Sequence, residues 1–139
     1  MLMVVPRRLD HAGFAVAALE PAIALFRDTL SATIGPVFED PLQKVRLCFA
    51  EYPGGRVELI APLGPDSPVS RIIADAGGGL YHLCYETDDL DAEFQRLRTQ
   101  GFVPTGPPQP AVAFGGRRVV FLYHRIAQLI ELVEAPTAS

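Results

Sequence analysis

The stretch Leu80-Tyr81-His82-Leu83-Cys84-Tyr85-Glu86 decides how the rest of this chain is read. It is entered through Gly77-Gly78-Gly79 and left through Asp88-Asp89. Glycine punctuation before alternating β-formers predicts a strand, and the closing aspartates suit the cap of a following helix. Side chains alternate along a strand, so His82, Cys84 and Glu86 share one face. One histidine in such a run is more often a hydrogen-bonded core residue than a ligand. The chain, however, carries the pattern twice.

Its first half reads as strand, helix and three strands. Arg8 to Val16 is a strand holding His11, followed by a helix from Leu19 to Leu30. Pro21 suits the first helical turn, and Ile23, Phe26 and Leu30 recur at the spacing of one buried face. Strands follow at Thr33 to Phe38, Lys44 to Tyr52 and Arg56 to Ala61, the last holding Glu58. A proline-bearing linker leads to a short helix, Val69 to Ala76, whose start is favoured by Ser67 before Pro68. The second half repeats the order: Leu80 to Thr87, a helix from Leu90 to Gln100 stopped by Gly101, Phe102 to Thr105, Arg117 to Tyr123, and Gln128 to Glu134. The expectation is an α+β fold of two tandem βαβββ modules in one domain, 1–139. Module 1 covers about 8–62, the linker 63–78 and module 2 about 79–135.

His11 and His82 lie 71 positions apart, each near the start of its module's first strand. Glu58 and Glu131 lie 73 apart in the last strands, within VELIAP and IELVEAP. A carboxylate set among Val, Ile and Leu is costly to bury without a partner, and here it recurs in register with a histidine. Modules related by a pseudo-twofold axis would bring two imidazoles and two carboxylates to one point. Such a set suits a divalent ion: Zn, Ni, Co, Mn or Fe. An ion of this kind polarises a carbonyl and makes the adjacent proton removable.

Composition narrows the class. With 139 residues, 49% hydrophobic and 20% charged, the chain suits one globular domain or two small fused modules. A net charge of -4 without a basic run argues against nucleic-acid binding. No apolar stretch approaches ~18 residues, so no membrane span is expected. The opening MLMVVPRRLD is too short for a signal peptide. Cys48 and Cys84 lie in apolar, strand-like runs and read as buried thiols of a reducing, cytoplasmic compartment.

The motifs LDHAGFAV at 9–16, VELIAPLGPDSPV at 57–69, GGLYHLCYETDDLDA at 78–92, and FGGRRVVFL with LIELVE within 114–134 carry a family resemblance. Together they resemble the vicinal oxygen chelate (glyoxalase/bleomycin-resistance/dioxygenase) superfamily, and are most similar to its methylmalonyl-CoA epimerases. That resemblance implies a curved eight-stranded mixed sheet around a metal site, helices outside, and a homodimer. It implies metal-ligand roles for His11, Glu58, His82 and Glu131. The activity implied is a metal-dependent isomerase, epimerase or lyase acting through an enolate on a small oxygenated substrate, such as the acyl-CoA methylmalonyl-CoA. The alternative is a small-molecule sequestering protein of the drug-resistance type. A dioxygenase is disfavoured, since those typically use two His and one Glu in a larger chain.

Three positions depart from the epimerase pattern. Leu42, followed by Gln43, stands where those enzymes carry an acidic base, with Glu39 and Asp40 nearby. The last turn is Tyr123-His124-Arg125-Ile126-Ala127 rather than a His-Pro-Lys type, and Glu58 replaces a more usual glutamine. With one base missing, the expectation is a one-base isomerisation or a lyase step, in which Glu131 or Glu58 leaves the metal to move the proton. Cys84 shares His82's face and reads either as an apolar filler or as a wall of the site. Arg117 could hold a carboxylate or phosphate at the pocket mouth, although an exposed strand-start pair with Arg118 is commoner. The loop 106–116, with Phe114, reads as a lid or a dimer contact. His124 is read as solvent-exposed, and Tyr81, Tyr85 and Tyr123 as core aromatics.

Overall fold

In the computed structural model, residues 6–137 are described, so the first five residues of the N-terminal stretch read above lie outside them. Among the described residues, ten strands, paired both parallel and antiparallel, and three α-helices make the fold α+β. The described residues divide into two compact units, 11–81 and 6–10 with 82–137.

The unit 11–81 begins within β1 (Pro6–Ala15), which pairs in parallel with β5 (Gly55–Pro62). β5 is antiparallel to β4 (Val45–Tyr52), and β4 also takes the short strands β2 (Thr33–Ile34) and β3 (Phe38–Asp40). One expected strand, Thr33 to Phe38, is therefore two. Gly35 still donates its N–H to Phe49 O at 2.9 Å, but Pro36 has no N–H to continue the ladder. Helix α1 (Leu19–Ala24) runs on as a π-helical turn, Leu25–Thr29, with Leu30 N–H on Leu25 O. Its Leu19 and Ala22 pack on Cys48, Ala50, Leu59 and Ala61, which alternate along β4 and β5. Helix α2 (Pro68–Ala76) starts where expected, Ser67 Oγ accepting from Val69 N. It ends at Gly77, whose φ of 76° is left-handed.

The second unit repeats this plan. β6 (Gly79–Thr87) pairs in parallel with β10 (Gln128–Glu134), and β10 is antiparallel to β9 (Arg118–His124). β7 (Val103–Pro104) and β8 (Gln109–Pro110) are two-residue strands on β9. β8 lies in the proline-rich loop that was expected to be strandless. Asp89 caps α3 (Leu90–Arg98) through its Oδ1 to Ala92 N, 3.1 Å. Leu90 and Leu97 pack on Val120, Leu122, Ile130 and Leu132. In both units the helix covers one alternating set of strand residues, which leaves the other set for the opposite face. Tyr85 and Phe94 join this core, whereas Tyr123, read as a core aromatic, is exposed because it falls on the unhelical face near the strand end.

Gly78 marks the tightest backbone approach. Its φ is 118°, and a Cβ there would stand 2.5 Å from Ala15 O, a main-chain atom that cannot swing away. Gly78→Ala is therefore expected to lower the unfolding free energy by roughly 2 kcal/mol or more, read by urea denaturation.

Candidate functional site

The face that α1 leaves uncovered in the unit 11–81 carries His11, Phe49 and Glu58. Gly13 of β1 and Phe49 of β4 are both register partners of Glu58, so the three strands deliver their side chains to one side. His11 Nε2 stands 3.6 Å from Glu58 Oε1, and its ring meets Phe49 edge-on at 5.3 Å. Both polar residues are buried, His11 at 2% exposure and Glu58 at 4%.

The unit that holds 82–139 builds the same group from His82, Phe121 and Glu131. Glu131 is opposite Phe121 in the β9–β10 register and beside Cys84 in β6. His82 Nε2 lies 3.1 Å from Glu131 Oε1, and the imidazole meets Phe121 edge-on, again at 5.3 Å. These residues too are buried. The same two atoms, Nε2 and Oε1, face each other in both units. Imidazole nitrogen and carboxylate oxygen, both withdrawn from water, make a donor set that fits a borderline divalent cation.

Phe49 and Phe121 were missed in the sequence. They lie nine and ten residues before their glutamates, within KVRLCF and RRVVFLY, so the repeat itself held the signal. Also missed was a charged group on the first half of β1. Arg8 donates to Asp10 Oδ1 at 2.8 Å and to Glu86 Oε2 at 3.0 Å, and both carboxylates are buried. Glu86 shares the β6 face of His82 and Cys84.

The loop that replaces the expected base is resolved by register. Leu42 is exposed in the turn between β3 and β4. Asp40 pairs with Val45, which places it on the same face as Phe49 and Glu58; Glu39 pairs with Arg46 on the other face. Asp40 is buried and accepts from Gln43 N and Gln43 Nε2, each at 3.1 Å. Glu39 instead lies 3.5 Å from Arg46 Nε.

The other sequence-selected residues have definite places. Cys84 is fully buried on the His82 face. Phe114 is buried in a 3-10 turn, Val112–Phe114, with the Arg117 guanidinium 5.2 Å from its ring. Arg117 donates to Phe114 O and Glu134 O, at 3.2 and 2.7 Å. Arg118 is the more solvent-facing partner, bound by Asp91 and Glu134, whose carboxyls it holds below their ordinary range. His124 is partly covered: its ring is 4.8 Å from Phe102, and its Nδ1 accepts from Ile126 N.

Neither Cys48 nor Cys84 is in a disulfide, and both are buried. Burial, and then the Glu58 carboxylate, push the Cys48 thiol from an ordinary value near 9.0 up to about 11. A thiol raised in the folded state favours folding below the unfolded pKa, and that contribution is lost as pH rises through the folded one. Between pH 9 and 11 the unfolding free energy should therefore decline. Cys48→Ala should flatten that part of the slope in denaturation curves taken across this range.

Compared with known proteins, residues 10–121 match the Glyoxalase/Bleomycin resistance protein/Dioxygenase superfamily. An ethylmalonyl-CoA/methylmalonyl-CoA epimerase of Cereibacter sphaeroides is 36% identical over 117 residues, 84% of this chain and 87% of that protein. Among solved structures, methylmalonyl-CoA epimerase from Mycobacterium tuberculosis has a TM-score of 0.86 and 31% identity, covering 98% of this chain and 93% of that one. A variant of the Streptomyces coelicolor methylmalonyl-CoA epimerase, in complex with 2-nitronate-propionyl-CoA, has a TM-score of 0.82 and 26% identity, covering 96% and 100%.

Proposed function

Because this chain belongs to the glyoxalase/bleomycin resistance protein/dioxygenase superfamily, we propose that it is a metal-dependent acyl-CoA epimerase with a methylmalonyl-CoA-like substrate. The observation that carries the reading is the recurrence of one buried His–Phe–Glu group in both units. His11, Glu58, His82 and Glu131 are the proposed ligands of a single divalent ion, drawn from Zn, Ni, Co, Mn and Fe. Residues 1–139 then act as one domain, since each unit carries only half of the donor set. When bound, such an ion supplies Lewis-acid polarisation of the substrate's oxygens. The drug-resistance alternative is not carried forward, because the named relatives are epimerases.

The chain's own residues must move the proton at the α-carbon. Two-base epimerisation needs a proton removed from one side and returned on the other, and hence an acid/base group on each face of the α-carbon. Glu131 is the proposed first base, with Glu58 the other carboxylate of the ligand set able to serve. Leu42 can do neither task. Asp40 is the proposed second proton carrier, supported by its burial, its place on the Glu58 face and the Gln43 contacts that orient it. Cys84 is proposed to line the pocket beside His82, and Arg117, resting on Phe114, to stand at its mouth. The resemblance supports a homodimer, and the two buried thiols support a reducing compartment such as the cytoplasm. No helix among the described residues is long and apolar enough to cross a membrane.

Elemental analysis of protein purified without a metal-affinity tag should find a single divalent ion per chain, lost in Glu131→Ala and in His82→Ala. No metal in the wild type after reconstitution would end this reading. Asp40→Asn should keep the ion and the fold but slow interconversion of the two methylmalonyl-CoA epimers by about 100-fold or more. An unchanged epimerisation rate would remove Asp40 from the mechanism.

A further inference from the structure

The two buried groups match in their residues and differ in what covers the phenylalanine. In the unit 11–81, Phe49 is 5% exposed, and the Arg56 guanidinium lies over its ring, 3.8 Å from the centroid. Arg56 stands two residues before Glu58; two before Glu131 the chain has Leu129, which carries no charge. There the equivalent ring, Phe121, is left half-buried.

Phe121 is accessible and also fixed. Its carbonyl accepts from Thr105 N at 3.0 Å, which pins the strand. Its ring meets the His82 imidazole at 82°, with the centroids 5.3 Å apart, and an edge-to-face pair of this kind restricts the ring. Phe121 and Glu131 are directly opposite in an antiparallel pair, so their side chains stand roughly 5 Å apart on one face. Cys84 is the register partner of Glu131 on its other side, and it is fully buried. In this row the accessible apolar surface beside the carboxylate is the Phe121 ring.

The α-carbon of a malonyl-type thioester carries four groups. Two of them end in oxygen, a third is the proton that Glu131 is proposed to remove, and the fourth is alkyl. An alkyl group gains by leaving water for apolar surface. It shares its carbon with the proton, so a carbon within reach of Glu131 brings its alkyl group to the neighbour of Glu131 in the row. We infer that Phe121 is a specificity-determining residue: its ring is the wall against which the α-alkyl substituent lies, and it limits the length of alkyl chain accepted. The inference rests on the acyl-CoA reading above. Wall and carboxylate both come from the β9–β10 hairpin.

Epimer interconversion of methylmalonyl-CoA and ethylmalonyl-CoA tests it, compared as the ratio of kcat/KM on one preparation of each metal-loaded variant. Such a ratio is unmoved by partial loss of metal through the His82 contact, so it separates a wall from a merely structural role. One methylene in an apolar pocket is worth roughly 10- to 200-fold. Phe121→Leu, which shortens the wall, should therefore raise the ethyl-to-methyl ratio about 10-fold or more, and Phe121→Trp should lower it. For a variant that does not turn over, calorimetry gives the same ratio as dissociation constants. In the wild type, kcat/KM should fall about 10-fold or more for each carbon added, from methyl through ethyl to propyl. A ratio that fails to move in these directions, or a flat wild-type series, overturns the assignment of Phe121. Metal-loaded wild type that interconverts neither pair of epimers overturns the acyl-CoA reading instead, an outcome distinguishable from failure of Phe121 alone.

Discussion

The structure depends on burying a glutamate beside a histidine, once in each unit. An ionised carboxylate withdrawn from water is costly by several kcal/mol unless something answers its charge. Here each glutamate faces an imidazole nitrogen, at 3.6 Å in one unit and 3.1 Å in the other. Each imidazole is in turn fixed by the edge of a phenylalanine that is the glutamate's own cross-strand partner. Such an arrangement restricts the rotamers of all three side chains.

Helix placement follows from the same constraint. A strand has two faces, and α1 and α3 cover the alternating small and aliphatic residues, Cys48, Ala50, Leu59 and Ala61 in one unit and Val120, Leu122, Ile130 and Leu132 in the other. The unhelical faces are thereby released for His, Phe and Glu. Beyond this shared plan the units diverge where nothing obliges them to agree. The first has a π-helical turn after its helix and a charged pair at its hairpin, Arg56 opposite Glu51; the second has Leu129 opposite Tyr123.

Much of this was legible in the chain. The eight longer segments were set by alternation and by Gly, Pro and Ser punctuation, and the caps at Ser67 and Asp89 fell where their side chains predict. The shift from eight strands to ten came from local chemistry: Pro36 interrupts one segment, and two residues of the proline-rich loop pair with β9. Asp40 and Glu39 were indistinguishable in the sequence, because adjacent residues on a short strand differ only in face. The choice between them was made by pairing with Val45 and Arg46. Likewise Arg8 and Glu86, 78 residues apart, are related by no period in the sequence.

What the sequence determined by itself was the repeat: two βαβββ modules and the spacing that sets a histidine and a glutamate in matching strands. Periodicity and punctuation are local, so a chain carries them openly. What only the tertiary structure decided was which side chains share a face across strands. Phe49 under Arg56, Asp40 with Glu58, and Arg8 on Glu86 are products of strand register, and register is a long-range property. A slip of one residue would turn each of them to the opposite face.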